Sequence, residues 1–214
     1  MRAGARPANF IMGVVMAVKS THLVSVKHRI SAGERARSNK HRGGVLWFTG
    51  LPGSGKSTLA VETEHKLFNN GRQAYVLDGD NVRQGLSSDL GFSHDDRTEN
   101  IRRIGEVAAL FADAGFIVIT AFISPYLKDR EIARQAAGAI FHEIYIDSDI
   151  ETCERRDPKG HYKLARAGKI PEFTGVSAPY EAPESPEFSV DTQNLSVEEC
   201  VDELVQYIDL KLVG

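Results

Sequence analysis

Cysteine is scarce in this sequence: Cys153 and Cys200 are the only two among 214 residues, alongside one tryptophan and three methionines. Two cysteines cannot make a disulfide framework, and neither lies in a nucleophile or metal-ligand pattern. A reduced, cytoplasmic setting is therefore expected. Long apolar runs are also missing. Residues 10–18, preceded by Arg2 and Arg6, form an apolar stretch that Gly13 interrupts and Lys19 ends. It is too short to span a membrane and no small-residue cleavage site follows it. No internal repeat is present. The net charge of −3 hides an asymmetry, because residues 1–42 carry nine Lys/Arg against Glu34 alone, making that segment +8 and the remainder −11. With few aromatics and no motif, this arm reads as a solvated or partner-docking segment rather than a nucleic-acid contact. We expect residues 1–30 to be a poorly ordered basic leader, or an over-long start with Met12 or Met16 as the true beginning, and residues 31–214 to be one domain.

What the sequence does contain is a glycine loop, Gly50-Leu51-Pro52-Gly53-Ser54-Gly55-Lys56-Ser57, running on into Thr58. It follows the apolar residues 45–48 and precedes a segment of helical spacing at 58–68, the context that makes the pattern a phosphate cradle. The glycines let backbone N–H groups turn towards an anion, and the helix N-terminus adds partial positive charge. Lys56 can bridge β- and γ-phosphates, while the Ser57 hydroxyl can ligate Mg²⁺. A nucleoside triphosphate is expected to bind here.

Downstream, strands alternate with helices, which predicts a parallel sheet covered on both faces. Gly71 should end the first helix. A second strand at 73–77 closes on Asp78-Gly79-Asp80-Asn81, where open α/β sheets hold ligands. Residues 81–85 should be a helical turn and 87–96 a loop. Asp95 or Asp96 would cap the next helix, with Ile101, Ile104, Ala108 and Phe111 inward and Arg97 and Asn100 on one side. A buried strand at 116–122 ends at Ser124-Pro125, and Pro125 would start a helix to about residue 137. A fourth strand spans 141–146. Asp149 opens a helix that breaks at Asp157-Pro158, and a basic, glycine-punctuated stretch reaches residue 175. The prolines at 179, 183 and 186 exclude regular helix. A short strand at 188–190 and a helix capped by Ser196 finish the chain.

Three classes of phosphate-loop protein compete. The Asp-x-x-Gly and Asn-Lys-x-Asp elements of a GTPase are lacking, and so is an acidic residue after the third strand, which a motor or transport ATPase would use. A small-molecule kinase instead places carboxylates after the second strand and closes a basic lid over ATP. Asp78 and Asp80 fill the first position and Lys159, Lys163, Arg166 and Lys169 the second.

Trp47-Phe48-Thr49-Gly50 with its loop, Asp78-Gly79-Asp80-Asn81-Val82-Arg83, Phe122-Ile123-Ser124-Pro125-Tyr126, Arg156-Asp157-Pro158-Lys159-Gly160, and Phe173-Thr174-Gly175 through Pro179-Tyr180-Glu181-Ala182-Pro183 together resemble the adenylyl-sulfate kinases, over residues 30–214. The resemblance implies a P-loop, three-layer α/β fold with a five-stranded parallel sheet and a basic lid. It also implies transfer of the ATP γ-phosphoryl group to the 3′-hydroxyl of adenosine 5′-phosphosulfate, with Mg²⁺. Residues Gly50 to Thr58, Arg156 and Lys163 would then hold ATP, with Arg156 against its adenine and Lys163 and Arg166 as lid cations. Asp80 would be an acceptor-side base or Mg²⁺ holder with Ser57, and Asp78 its structural or metal-linked companion; either could instead cap a turn. Arg83, Arg97 and Asn100 would contact the phosphosulfate and its nucleoside, and Phe92 and Phe173 would sandwich the adenine. Ser124 matches a serine recorded in the family as a phosphoenzyme site. With no base adjacent in sequence, capping the next helix is an equal reading of it.

Three positions depart from the family's pattern: Leu127, Leu164 and Ser177 stand where Arg, Lys and Asp are usual. They bear on ATP affinity and lid closure. The stretch Glu34 to Gly44 resembles the lead-in found when this kinase is fused behind a sulfurylase. A homodimer is expected, with a sulfate adenylyltransferase subunit as a candidate partner and no nucleic-acid or membrane contact. The competing reading is a non-catalytic nucleotide-binding partner of that subunit.

Overall fold

The computed structural model describes residues 22–24 and 26–213, so most of the expected leader lies outside the described residues. The elements are α1 (Ala32–Asn39), β1 (Gly44–Thr49), α2 (Lys56–Asn69), β2 (Ala74–Asp78), α3 (Gly79–Arg83), α4 (His94–Asp113), β3 (Ile117–Ala121), α5 (Leu127–Ala137), β4 (Phe141–Asp147), α6 (Ile150–Arg156), α7 (His161–Arg166), β5 (Phe188–Asp191) and α8 (Val197–Ile208). The five strands run parallel in the order β2-β3-β1-β4-β5. Among the described residues no helix is long and apolar enough to cross a membrane.

Strand β1 is the middle of the sheet and all six of its residues are buried. The two-residue period of a strand sends Leu46 and Phe48 to one face and Val45 and Trp47 to the other. Leu46 and Phe48 join Ile117, Ile119, Ile144 and Ile146 against Leu59 and Leu67 of α2 and Leu204 and Ile208 of α8. On the other face, Val45 and Trp47 pack with Val118 and Phe141 against Ile101, Ile104 and Ala108 of α4 and Ala133 of α5. Trp47 stacks between Phe122 and Phe141, at centroid distances of 6.0 and 5.7 Å. Helix–sheet–helix layering follows directly, and every strand's carboxyl end reaches the same edge of the sheet.

Three local expectations need correction. Helix α4 is capped by Ser93, whose hydroxyl accepts the Asp96 N–H, rather than by Asp95 or Asp96. Helix α5 begins at Leu127, not Pro125, and Ser124 does not cap it: the N-cap residue is Tyr126, without a side-chain bond. Glu181 supplies the missing cap from elsewhere in the chain, its carboxylate accepting the Leu127 N–H at 2.7 Å. The basic stretch after Pro158 contains a helix, α7, and the lead-in contains α1, which opens with a capping box between Ser31 and Glu34. Gly71 (φ +74°) ends α2 as expected.

His41 ties the start of β1 to the start of β2. It is 2% exposed, its Nδ1 faces the Arg42 carbonyl at 3.1 Å, and its Nε2 accepts the Gln73 N–H at 3.0 Å. Only a neutral ring with its proton on Nδ1 satisfies both contacts. Burial lowers its pKa below the ordinary 6.5. The unfolded chain therefore takes up this proton first, and the stability that the neutral ring provides is present above pH 6.5 and lost as pH falls through the lowered folded value. His41→Phe should cost about 1–3 kcal/mol near neutral pH, by leaving the Gln73 N–H unpaired. It should also flatten the acid limb. Thermal melting at several pH values from about 8 down to about 5 checks this: a wild-type response no steeper than that of the variant would remove His41 as the sensor.

Candidate active site

The glycine loop leaves β1 after Thr49 and feeds the N-terminus of α2. At Gly50 a Cβ would stand 2.6 Å from the Ile146 carbonyl and 2.8 Å from Ser54 Oγ, so no side chain fits. At Gly55, the N-cap of α2, the space is open but φ is +104°, which L residues rarely adopt. The loop is thus built to bring its backbone up to a bound anion, next to the free N–H groups of a helix end. Lys56 is buried at its base, where its ammonium donates to the carbonyls of Gly50 (3.0 Å) and Leu51 (2.7 Å). Burial brings its pKa down to about 8. From behind, Thr192 Oγ1 lies 3.0 Å from both the Ser54 and Asp147 carbonyls, and Arg156 reaches Thr192 with both terminal nitrogens.

The second strand delivers the carboxylates. Ser57 Oγ donates to Asp78 Oδ2 at 2.7 Å, and Asp78 Oδ1 accepts the Asp80 N–H at 3.0 Å. Asp78 therefore does cap a turn, α3, while also touching the loop's serine. Asp80 is ion-paired with Lys159 from the segment between α6 and α7. Ser57, Asp78, Asp80, Asn81 and Lys159 share one cleft of about 490 Å³. A serine hydroxyl with two carboxylates is a hard-oxygen set that suits Mg²⁺ completed by phosphate and water.

Where the sequence leads one to expect the acceptor, Arg83 lies 4.5 Å over the Phe92 ring and donates to the Gly91 carbonyl at 2.8 Å. Arg97 donates to the carbonyls of Phe92 (2.9 Å) and Glu172 (3.0 Å), so it draws the loop before α4 towards the loop that carries Phe173. Asn100 is buried and its Oδ1 has no partner among the described residues, leaving an acceptor for a ligand or water. The two phenylalanines differ: Phe92 is exposed, whereas Phe173 packs edge-on against Tyr162 in the small core under the lid. Of the lid cations, Arg166 is held bidentately by Glu154 of α6, and Lys163, exposed, makes no ion pair among the described residues. Ser177, one of the departures, bonds within its own turn by accepting the Phe173 N–H at 2.9 Å.

Ser124 is 2% exposed, with φ +40°. Its hydroxyl accepts the Trp47 indole N–H at 3.1 Å, and among the described residues no carboxylate or imidazole bonds it. A nucleophilic serine needs a base to take its proton, and this one faces a donor.

A sequence model described as adenylylsulphate kinase matches residues 42–191. The chain belongs to the adenylyl-sulfate kinase family. An adenylyl-sulfate kinase of Clostridium acetobutylicum is 56% identical over 190 residues, covering 89% of this chain and 95% of the relative. Among solved structures, Mycobacterium tuberculosis APS kinase in complex with AMPPNP and APS superposes with a TM-score of 0.76 at 47% identity, over 78% of this chain and 98% of that one. A hexameric APS kinase from Thiobacillus denitrificans matches 92% of this chain but only 39% of its own, at 31% identity and TM-score 0.62.

The sequence assigned no role to Thr49, Thr192, Arg130 or Tyr180, whose partners lie far along the chain. Thr49 Oγ1 donates to the Ile123 carbonyl (2.9 Å) and lies 3.1 Å from the Tyr180 hydroxyl. The depressed Lys56 predicts a proton linkage. Around pH 8 the free protein holds this group about half charged, and a bound polyphosphate stabilises the ammonium. Nucleotide binding near pH 8 should therefore take up about half a proton, falling towards zero near pH 6.5. Titration calorimetry with a non-hydrolysable ATP analogue in buffers of different ionisation enthalpy reads it; net proton release at pH 8 would contradict it.

Proposed function

We infer that this chain transfers the γ-phosphoryl group of ATP to the 3′-hydroxyl of adenosine 5′-phosphosulfate, giving 3′-phosphoadenosine 5′-phosphosulfate. The observation that carries the reading is the contact between Ser57 of the phosphate loop and Asp78 at the end of β2, with Asp80 two residues on. Ser57, Asp78 and Asp80 line a single cleft in a chain of this family, which supports reading them as the donor-side hydroxyl and the acceptor-side carboxylates.

In this reading the loop backbone and Lys56 hold the ATP phosphates, while Ser57 and Asp80 would hold Mg²⁺, with Asp78 steadying both. Bound there, Mg²⁺ supplies charge neutralisation on the phosphates. Asp80 has two uses, as base for the 3′-hydroxyl or as metal holder, and in either case Lys159 must leave it. Both partners of that ion pair are more than half exposed, so the contact is worth about 0–1 kcal/mol and opens readily. Arg83, Arg97 and Asn100 orient the acceptor, Phe92 and Phe173 flank its base, Arg156 packs against the ATP adenine, and Lys163 and Arg166 are the lid cations. Residues 31–214 are proposed as the catalytic domain and residues 1–30 as a dispensable leader. A cytoplasmic setting, a homodimer and docking to a sulfate adenylyltransferase subunit complete the proposal.

The test is a coupled assay of the purified chain with ATP, Mg²⁺ and adenylyl sulfate. Ser124→Ala should keep turnover, losing about 0.5–2 kcal/mol in barrier for one hydrogen bond. Asp80→Asn should lose more, about 10²–10⁴-fold if Asp80 is the base. No wild-type turnover, with both nucleotides still bound, would favour the non-catalytic partner. Trapping a kinetically competent phosphoserine at Ser124 would overturn direct transfer.

Specificity gives a second measurement. Adenylyl sulfate and AMP differ only at the phosphosulfate end, which ring stacking cannot sense, so Arg83 and Arg97 must discriminate. Replacing either with Ala should weaken acceptor binding by about 1.5–3 kcal/mol while ATP affinity barely changes. Lys should recover only part of the loss, since it lacks the two-pronged geometry. Loss of ATP affinity with acceptor affinity intact would mean the two nucleotide sites are assigned the wrong way round.

A further inference from the structure

A charged side chain outside the cleft ties its floor together. Arg130 of α5 is 2% exposed, and each of its three nitrogens bonds a different part of the chain. Nε donates to Glu143 Oε1 of β4 at 2.5 Å. Nη1 donates to the Ser124 carbonyl at 2.7 Å, and Nη2 to the Glu181 carbonyl, also at 2.7 Å. Its Cζ lies 5.9 Å from the centroid of the Tyr180 ring. Glu143 is held in turn by Arg134, at 3.4 Å from its other oxygen.

The two carbonyls are the informative partners. One belongs to the left-handed turn at Ser124, just past the carboxyl end of β3. The other belongs to residues 179–183, a proline-bounded segment that crosses the same edge. Two more bonds join them, the Glu181 N–H donating to the Pro125 carbonyl (2.8 Å) and the Glu181 carboxylate accepting the Leu127 N–H, and the Tyr180 hydroxyl meets Thr49 at the end of β1. Thr49 immediately precedes the phosphate loop and also reaches the Ile123 carbonyl. One guanidinium therefore fixes two backbone segments that both abut the start of the loop.

Stability alone does not account for such an arrangement. A buried ion pair is often no better for stability than apolar groups of the same volume. What the fork supplies that an apolar side chain cannot is simultaneous direction to two carbonyls and a carboxylate. We propose that Arg130, held by Glu143, is a positioning residue for phosphoryl transfer: it locks residues 179–183 and the Ser124 turn against the base of the phosphate loop, setting the alignment of donor and acceptor rather than the affinity for either.

This inference rests on the transfer activity proposed above, and the experiment keeps the two separable. The full chain and its Arg130→Lys variant are compared by kcat and by KM for each nucleotide, with rates expressed per folded molecule. Amide hydrogen exchange is followed at Glu181 and Leu127, whose N–H groups bond across the two segments. The ammonium of lysine cannot serve all three partners in their fixed directions. Expected are a tenfold or greater fall in kcat, KM values within about threefold of wild type, and faster exchange at Glu181 and Leu127. Should Arg130→Lys not fold, Glu143→Gln carries the same measurements. It keeps an acceptor for Nε and removes the charge, so a smaller fall in kcat with the same KM pattern is expected. A kcat per folded molecule within twofold of wild type in a folded variant overturns the inference and leaves the transfer activity standing. A rise in KM without a fall in kcat overturns it as well. If the wild-type chain shows no turnover, the function fails instead, and unchanged exchange at Glu181 and Leu127 then removes the lock on its own.

Discussion

Burial of β1 on both faces is the constraint on which the rest depends. A strand covered by α2 and α8 on one side and α4 and α5 on the other cannot slip, because a one-residue shift would exchange its two sets of buried side chains. Its end at Thr49 is therefore a fixed point, and the phosphate loop starts there. Parallel pairing then brings the ends of the other strands to the same edge: Asp78 from β2, the Ser124 turn after β3, Asp147 from β4 and Thr192 just past β5. Each of these contacts the loop directly or through one intermediary. The chemistry gathers at one edge because the topology leaves the chain nowhere else to place five loop starts together.

Local rules read the parts of this that are local. The glycine loop is legible since each residue type meets a demand within a few positions: glycine where no Cβ fits, lysine and serine at a helix start. The strands and the inward face of α4 were legible from their periods. Where two local signals competed, reading faltered. Ser93, Asp95 and Asp96 are all good caps, and the serine takes the position while Asp96 bonds back to the Ser93 hydroxyl. Helix α7 has six residues between Gly160 and Gly168, too short for an apolar stripe to show. At Ser124 the Ser-Pro pair looked like a helix start, but the actual cap arrives from Glu181.

The long-range bonds lie beyond any such reading. Thr49 and Tyr180 are 131 positions apart, and neither residue type announces a partner. Arg130 in a helix with exposed Lys128 and Glu131 looks like one more surface charge; only the packed structure makes it an interior one. Family resemblance assigned roles to the residues expected to face nucleotides. It assigned none to Thr49, Tyr180 or Arg130, because their roles are set by packing and not by contact with a ligand.

Two ion pairs show how the site divides between fixed and movable parts. Asp80 and Lys159 are 70% and 59% exposed, so water screens them and each loses little when they separate. Arg130 and Glu143 have 2% and 10% of their side chains exposed, and parting them would leave a desolvated charge with no counterion, a cost of about 3–5 kcal/mol. Charge pairing thus acts in opposite ways a short distance apart. The exposed pair joins the segment between α6 and α7 to Asp80 in a contact that an arriving ligand can displace. The buried pair holds the Ser124 turn and residues 179–183 to a single arrangement while it does so. A kinase needs both: phosphoryl transfer depends on donor and acceptor meeting in line, and that requires a floor that does not shift when the lid does.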